Sequence, residues 1–204
     1  MGPGWATLRA TRRGDPLNPD RIEKLRKALK DVSPDVRTAA AEALERLEAL
    51  ASVEKFNQML QSGDRAAKLR ALYALGDIED EAVLKPLVSA LSDEIQEVRC
   101  AAIRMLGERA EPRTLAPLFE LLDDPDPSIR ALVIEALGNF HDKRLADSFL
   151  SLLTGDEPEI LRRVIAALGK LRDPRAEGTL LRLLDHAEAN VREAAAGALG
   201  HLKT

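Results

Sequence analysis

A basic side chain recurs at a fixed interval and is the most regular charged feature of the chain. The basic residues at this position are spaced by 31 residues or by twice that interval: Arg37, Lys68, Arg99, Arg130 and Arg192. Leu161 occupies the same position between Arg130 and Arg192. Guanidinium and ammonium groups beside acidic turns can form ion pairs and cap helices without any ligand. We favour that structural use, and a row of phosphate-binding groups is the alternative.

Few residues are arranged for catalysis or metal binding. His141, His186 and His201 fall in turns or near the chain end, without a second ligand at helical spacing. Cys100 has no histidine in its own repeat that could activate it. Motifs of serine hydrolases, zinc proteases and paired-cysteine metal sites do not occur in the sequence. We therefore expect no enzymatic activity, no cofactor and no metal.

The composition favours an all-α protein. Hydrophobic residues make up 45% of the 204 residues but aromatic residues only 3%, which suits close packing of helices. Thirty basic residues against 34 acidic ones lack the positive excess of a general nucleic-acid-binding protein. No stretch is apolar enough to cross a membrane, and residues 1–17 contain no apolar signal core. We expect a cytoplasmic protein with a flexible N-terminal segment at 1–17 and no membrane or nucleic-acid partner.

A glycine recurs with the same period and marks repeated units. The glycines at 31-residue intervals are Gly76, Gly107, Gly138, Gly169 and Gly200. Such a fixed period predicts a solenoid, in which each unit packs only on its neighbours. We expect each glycine to close a helix in the left-handed conformation.

Asparagine, aspartate and proline divide each unit into two helices. Typical starts are Asn18-Pro19 and Asp173-Pro174 for the first helix, and Asp126-Pro127 for the second. The sequence thus predicts six helix pairs over 18–204, about twelve helices, in a right-handed α–α superhelix without strands. Residues 43–56 carry Glu45 in place of the glycine, so we expect a longer or bent helix there.

The second helix resembles the HEAT repeat. The segments that carry the resemblance are VRCAAIRMLG, from residue 98, and VREAAAGALG, from residue 191. The short period is similar to the subtype named for phycobilisome bilin lyases. The resemblance implies a scaffold or adaptor, and its alternative is a bilin lyase, isomerase or chaperone subunit. The sequence contains only one Trp, one Tyr and four Phe, which argues against a tetrapyrrole pocket. The same scarcity of aromatic residues argues against a third alternative, a DNA-alkylation glycosylase, which stacks bases on aromatic side chains.

Positions that vary between repeats predict a binding surface. With about 100° per residue, the apolar positions of the second helix share one face, and the variable positions lie on the opposite, concave face. Exposed Tyr, Arg and Leu side chains are common in protein interfaces. We predict that a protein partner, through an acidic or amphipathic segment, contacts Leu69, Arg70, Tyr73, Arg104, Leu132, Arg162 and Arg163. For the protein itself we expect a monomer or a weak dimer.

Overall fold

The chain folds into a succession of short helices. A computed structural model describes residues 18–202, so the predicted flexible segment at 1–17 lies outside the described residues. Within this range there are eleven α-helices and no strand, which confirms the predicted all-α class. The α-helices are α1 (Pro19–Ala28), α2 (Pro34–Ser62), α3 (Arg65–Gly76), α4 (Leu84–Ser89), α5 (Gln96–Arg109), α6 (Leu115–Phe119), α7 (Pro127–Leu137), α8 (Ala146–Leu152), α9 (Pro158–Leu171), α10 (Glu177–Leu183) and α11 (Ala189–Leu199). Short 3-10 helices lie at Glu81–Val83, Ala90–Ser92, Pro112–Thr114, Glu120–Asp123, Lys143–Leu145 and Pro174–Ala176.

Two rows of helices run along the solenoid. We call α3, α5, α7, α9 and α11 the inner row and α4, α6, α8 and α10 the outer row. Successive helices of the inner row pack extensively on one another, whereas those of the outer row make sparse contacts. A solenoid curves toward the side on which its helices are closer together. The inner row therefore lines the concave face.

The junction between the first two repeats is one continuous helix. α2 spans 29 residues and replaces both the second helix of the first repeat and the first helix of the next. This explains why eleven helices, rather than about twelve, lie within 18–202. Position 45 is Glu rather than Gly, and no Asp-Pro pair follows it, so the sequence contains no signal that would end the helix there. The expectation of a longer helix is confirmed, and the helix extends beyond the predicted segment.

Repeated apolar positions form the core from α3 onward. Val98, Ile129 and Val191 have no exposed surface, and neither do Leu106 and Leu137. The N-terminal repeat differs, because Val36, which occupies the same position as Val98, is 41% exposed. The 31-residue spacing of the apolar positions predicts that Val36 is buried like Val98, and this prediction is wrong. Val36 lies on α2, which has only a short helix, α1, on one side.

The repeated glycines do not close helices in the left-handed conformation. Gly138 and Gly200 are right-handed, with φ of −61° and −67°, and Gly107 lies inside α5. The left-handed residues come three positions later: Ala110, His141 and Arg172, with φ of 46°, 51° and 51°. The prediction for the glycines was wrong. At Gly107 and Gly138 the lack of a side chain instead permits the next inner helix to approach closely.

Candidate functional site

The recurrent basic residues hold the turns between helices. In four repeats, a guanidinium Nη1 donates a hydrogen bond to the backbone carbonyl six residues earlier. The pairs are Arg37 with Asp31, Arg99 with Asp93, Arg130 with Asp124 and Arg192 with His186, at 2.9, 2.8, 2.9 and 2.7 Å. The partner is thus chiefly a carbonyl group, rather than the turn carboxylate that the family resemblance implies.

Two members of this row also reach the next repeat. Lys68 Nζ lies 2.6 Å from Asp93 Oδ2, in a pair that is largely buried. Arg130 Nη2 donates to both carboxylate oxygens of Glu157, at 2.7 and 2.9 Å. The basic row therefore stabilises turns and links repeats. Since its members already have internal partners, it offers no row of free cations to phosphate groups.

A groove follows the exposed side of the inner row. One helix position is exposed in every repeat and defines the groove: Glu42, Tyr73, Arg104, Glu135, Ala166 and Gly197. Tyr73 is 61% exposed, and with Arg104 it lines a pocket of about 390 Å³ between α3 and α5. The remaining lining residues of this N-terminal pocket are Gly76, Asp77, Ala101, Met105 and Glu108.

Three of the seven predicted contact residues present free polar groups to the groove. Arg70, Tyr73 and Arg104 are exposed, and neither arginine forms an ion pair with any residue of 18–202. Leu69 and Leu132, by contrast, are half-buried and pack against the hydrophobic core. They therefore contribute mainly to packing.

The other two predicted residues are engaged by acidic neighbours. Arg163 Nε lies 2.8 Å from Glu159 Oε1, and its Nη1 pairs with Glu135 on α7. Arg162 Nη2 lies 3.1 Å from Glu159 Oε2. The hydrogen bond with Glu159 raises the pKa of Arg163, and it offsets the positive charge that a partner would meet. This part of the predicted surface is close to electrically balanced.

A second pocket lies between the C-terminal ends of α9 and α11. Its volume is about 650 Å³. All of its ionisable lining residues are basic: His141, Lys170, Arg172 and His201. The rest of the lining is small: Ala166, Gly169, Ala194, Gly197 and Ala198. This C-terminal pocket was not predicted from the sequence, in which His141 and His201 were interpreted as residues of a turn and of the chain end.

Both pockets are versions of one repeated feature. Tyr73, Gly76 and Asp77 of the N-terminal pocket correspond to Ala166, Gly169 and Lys170 of the C-terminal pocket, three periods later. The two share a backbone framework but differ in side chains. The sequence signal for both pockets is the residue that directly follows each repeated glycine, since these residues line the pockets and differ in charge between repeats.

Two chemical signatures of an active site are absent from residues 18–202, namely an activated thiol and a metal-binding cluster. Burial raises the pKa of the Cys100 thiol, which disfavours the nucleophilic thiolate. In the part of the chain that the structure describes, no group of three or more His, Cys, Asp or Glu side chains could hold a metal ion. Among the helices within 18–202, none is long and apolar enough to span a membrane.

The repeats match an established family model. The model for HEAT repeats matches residues 22–95, 84–166 and 146–204, which together cover most of the chain. The chain belongs to the HEAT repeat family. The resemblance inferred from the sequence is thereby confirmed. No curated protein is significantly similar to this HEAT repeat protein in sequence.

Solved structures of repeat proteins share the fold. A chain from the complex of CpcE and CpcF of the phycocyanin lyase from Nostoc sp. is 26% identical, with a TM-score of 0.64 over 74% of this HEAT repeat protein. The match spans 65% of the Nostoc chain, less than two thirds of its length. A designed armadillo repeat protein in complex with the peptide (KR)4 is 20% identical, with a TM-score of 0.56 over 91% of this chain and 99% of that one. An engineered protein is 21% identical, with a TM-score of 0.52 over 88% of this chain and 95% of that one.

Proposed function

We propose that this HEAT repeat protein is a non-enzymatic scaffold that binds an extended segment of a partner protein along its concave groove. The observation that carries this proposal is the N-terminal pocket. There Tyr73, which is 61% exposed, and Arg104, which has no ion-pair partner within 18–202, line the same concavity. Tyrosine and arginine are among the residues that most often dominate the energy of protein interfaces.

The shape of the groove favours an extended occupant. Equivalent concavities occur at two places along the inner row, three periods apart, so one extended segment could contact both of them. The aromatic ring of Tyr73 supplies apolar contact, and the exposed guanidinium groups of Arg70 and Arg104 on the inner row supply hydrogen-bond donors. An amphipathic segment with acidic side chains would satisfy both kinds of group. The contact residues of this proposal are therefore Arg70, Tyr73 and Arg104, with Arg162 and Arg163 at its edge.

A second candidate function is that of a subunit or chaperone of a chromophore lyase. Its support is the similarity to the Nostoc lyase chain, together with a basic pocket that could receive the carboxylates of a tetrapyrrole. The lining of that pocket contains no Phe, Tyr or Trp side chain that could stack on the chromophore. Mixing the protein with free bilin tests this function. A change in the absorbance spectrum of the bilin would favour it over the scaffold.

Affinity capture with matched variants tests the scaffold proposal. The groove variant is Tyr73→Ala/Arg104→Glu, and the control is Phe119→Ala/Lys85→Glu, which makes the same two kinds of change on the outer row. We expect the groove variant to lose partners that the wild type and the control both recover. If all three proteins recover the same partners in equal amounts, the concave groove is not the binding surface.

A further inference from the structure

The residues that directly follow the repeated glycines change charge along the groove. In chain order this rim column reads Asp77, Glu108, Asn139, Lys170 and His201. It begins with two carboxylates, passes through a neutral amide and ends with two basic side chains. Because these residues line the two equivalent pockets, the N-terminal pocket carries carboxylates at the places where the C-terminal pocket carries Lys170 and His201.

The basic groups of the C-terminal pocket are not paired with any carboxylate of residues 18–202. Within residues 18–202, none of His141, Lys170, Arg172 and His201 forms an ion pair. Lys170 Nζ donates a hydrogen bond of 2.7 Å to Asn139 Oδ1, which orients the ammonium group and leaves its charge intact. Several other basic residues, by contrast, form ion pairs with Asp or Glu.

The backbone and the floor of the pocket suit a peptide. His141 and Arg172, 31 residues apart, are both left-handed, so the chain turns at the pocket edge in the same way in two successive repeats. Ala166, Gly169 and Gly197 give a floor without long side chains, which lets a ligand approach the helices closely. A volume of about 650 Å³ exceeds what a single small anion needs and accommodates several side chains.

We propose that the C-terminal pocket binds acidic side chains of an extended protein segment, and that this preference fixes the register and orientation of the segment in the groove. Lys170 and Arg172 supply positive charge for its carboxylates, and the ring N–H groups of His141 and His201 supply further hydrogen-bond donors. At the equivalent N-terminal pocket, Asp77 and Glu108 lie beside Arg104, so that pocket binds an acidic side chain less strongly than the C-terminal pocket does. This inference rests on the proposed function, because it assigns a chemistry to one end of the proposed binding groove.

A short acidic peptide tests the inference by fluorescence anisotropy. The probe is a fluorescein-labelled heptapeptide in which three Glu alternate with Leu between terminal Gly residues. Its dissociation constant is measured for the wild type, for Lys170→Glu/Arg172→Glu, and for Lys85→Glu/Arg182→Glu, whose sites lie on the outer row. Both variants change the net charge equally. We expect the dissociation constant to rise about tenfold or more in the pocket variant and about twofold in the control.

Amide chemical shifts of the wild type keep the test independent of variant folding. We expect the peptide to shift the amide resonances of Gly169 and Gly197, which line the pocket, and to leave Gly178 on α10 unchanged. Equal losses in both variants, no peptide binding at millimolar concentration, or shifts elsewhere would overturn the inference. Inorganic phosphate that binds as tightly as the peptide would also overturn it, since the pocket would then be a small-anion site.

The failure of this inference can be told apart from the failure of the scaffold function. If the groove variant at Tyr73 and Arg104 loses its partners while the acidic peptide does not bind, only the preference of the C-terminal pocket is wrong. If the peptide binds at Gly169 and Gly197 but partner recovery does not depend on Tyr73, the scaffold proposal fails and the acidic specificity of the pocket stands.

Discussion

Gly107 on α5 lies directly against Ala136 on α7. A Cβ atom at position 107 would be 2.5 Å from the Ala136 Cβ and 2.7 Å from its Cα, closer than real atoms approach. The obstacle includes backbone, so a change of rotamer could not relieve it. At Gly169 the corresponding atom would be 3.4 Å from Ala198, which is an ordinary contact. Among the repeated glycines, Gly107 is thus the one at which an added side chain would meet its neighbour most closely.

Gly107→Ala should therefore destabilise the protein. Alanine normally stabilises a helix by about 1 kcal/mol relative to glycine, but overpacking costs about 1–3 kcal/mol, and here the clash should outweigh the propensity. The control is Gly178→Ala on α10, where an added Cβ meets nothing within 4 Å. Urea denaturation should show a loss of stability for the first variant and none for the second. A more stable Gly107→Ala protein would contradict the close packing.

Ala110→Gly should stabilise the protein. Ala110 closes α5 with a positive φ of 46°, a conformation that glycine adopts without steric cost. We expect a gain of about 0.5–1 kcal/mol in the free energy of unfolding. Ala102→Gly, inside the same helix, should instead lower the free energy of unfolding by at least about 1 kcal/mol, the usual cost of glycine in a helix. The reason is that Ala102 is right-handed and fully buried. Thermal denaturation of both variants checks the difference in sign.

Arg109 should matter more to stability than a surface arginine. Its Nη2 donates to the carbonyl oxygens of Gly76 and Ile78, at 2.8 and 2.7 Å, and so satisfies acceptors at the end of α3 from the next repeat. Replacing Arg109 with Met should cost about 2 kcal/mol, since hydrogen bonds to charged groups are stronger than neutral ones. Arg113→Met, which removes only exposed ion pairs, should cost less than about 1 kcal/mol. Equal losses of stability in urea denaturation would contradict the capping role of Arg109.

The pair of Lys68 and Asp93 should make stability depend on pH. Burial alone would raise the pKa of Asp93, but hydrogen bonds from Lys68 and from the backbone N–H of Ile95 outweigh it and hold the pKa below its ordinary value of 3.8. A lowered carboxyl pKa stabilises the folded state above the ordinary pKa, and this contribution is lost as the pH falls through the lowered value.

Lys68→Met tests this dependence. At neutral pH the variant should lose about 2 kcal/mol, because a largely buried carboxylate keeps its charge without its cation. The difference from wild type should shrink as the pH falls from 3.8 through the lowered pKa of Asp93, because a protonated carboxyl group no longer needs the cation. Arg65→Met, which removes an exposed pair with Glu97, is the control and should change stability by less than about 1 kcal/mol. A difference for Lys68→Met that stays constant over this pH range would contradict the argument.

The sequence predicts those features that depend on one repeat and its period. Burial of Val98, Leu106 and Leu137 follows from helical spacing, because the same face meets the same neighbour in every layer. The glycines were misinterpreted, since a single repeat does not reveal how close the next helix lies. Gly107 is required by Ala136, which is 29 residues further along the chain.

The candidate site was less predictable than the fold. A helical projection places Leu69 and Leu132 away from the core, but it describes an isolated helix, and the adjacent inner helices partly cover these side chains. The same projection cannot show that Arg163 pairs with Glu135 on the preceding inner helix. The exposure of Tyr73 was predictable, because its position lies opposite the apolar face of its own helix.

Photo-crosslinking from the groove tests the central claim most directly. A benzoylphenylalanine is introduced at Tyr73 on the inner row or, as the matched aromatic control, at Phe119, which is 39% exposed on the outer row. After irradiation in the source cell, the attached peptides are identified by mass spectrometry. The scaffold account predicts one defined partner segment attached at Tyr73 and absent at Phe119. The same segment attached equally from both positions, or from Phe119 alone, would contradict it.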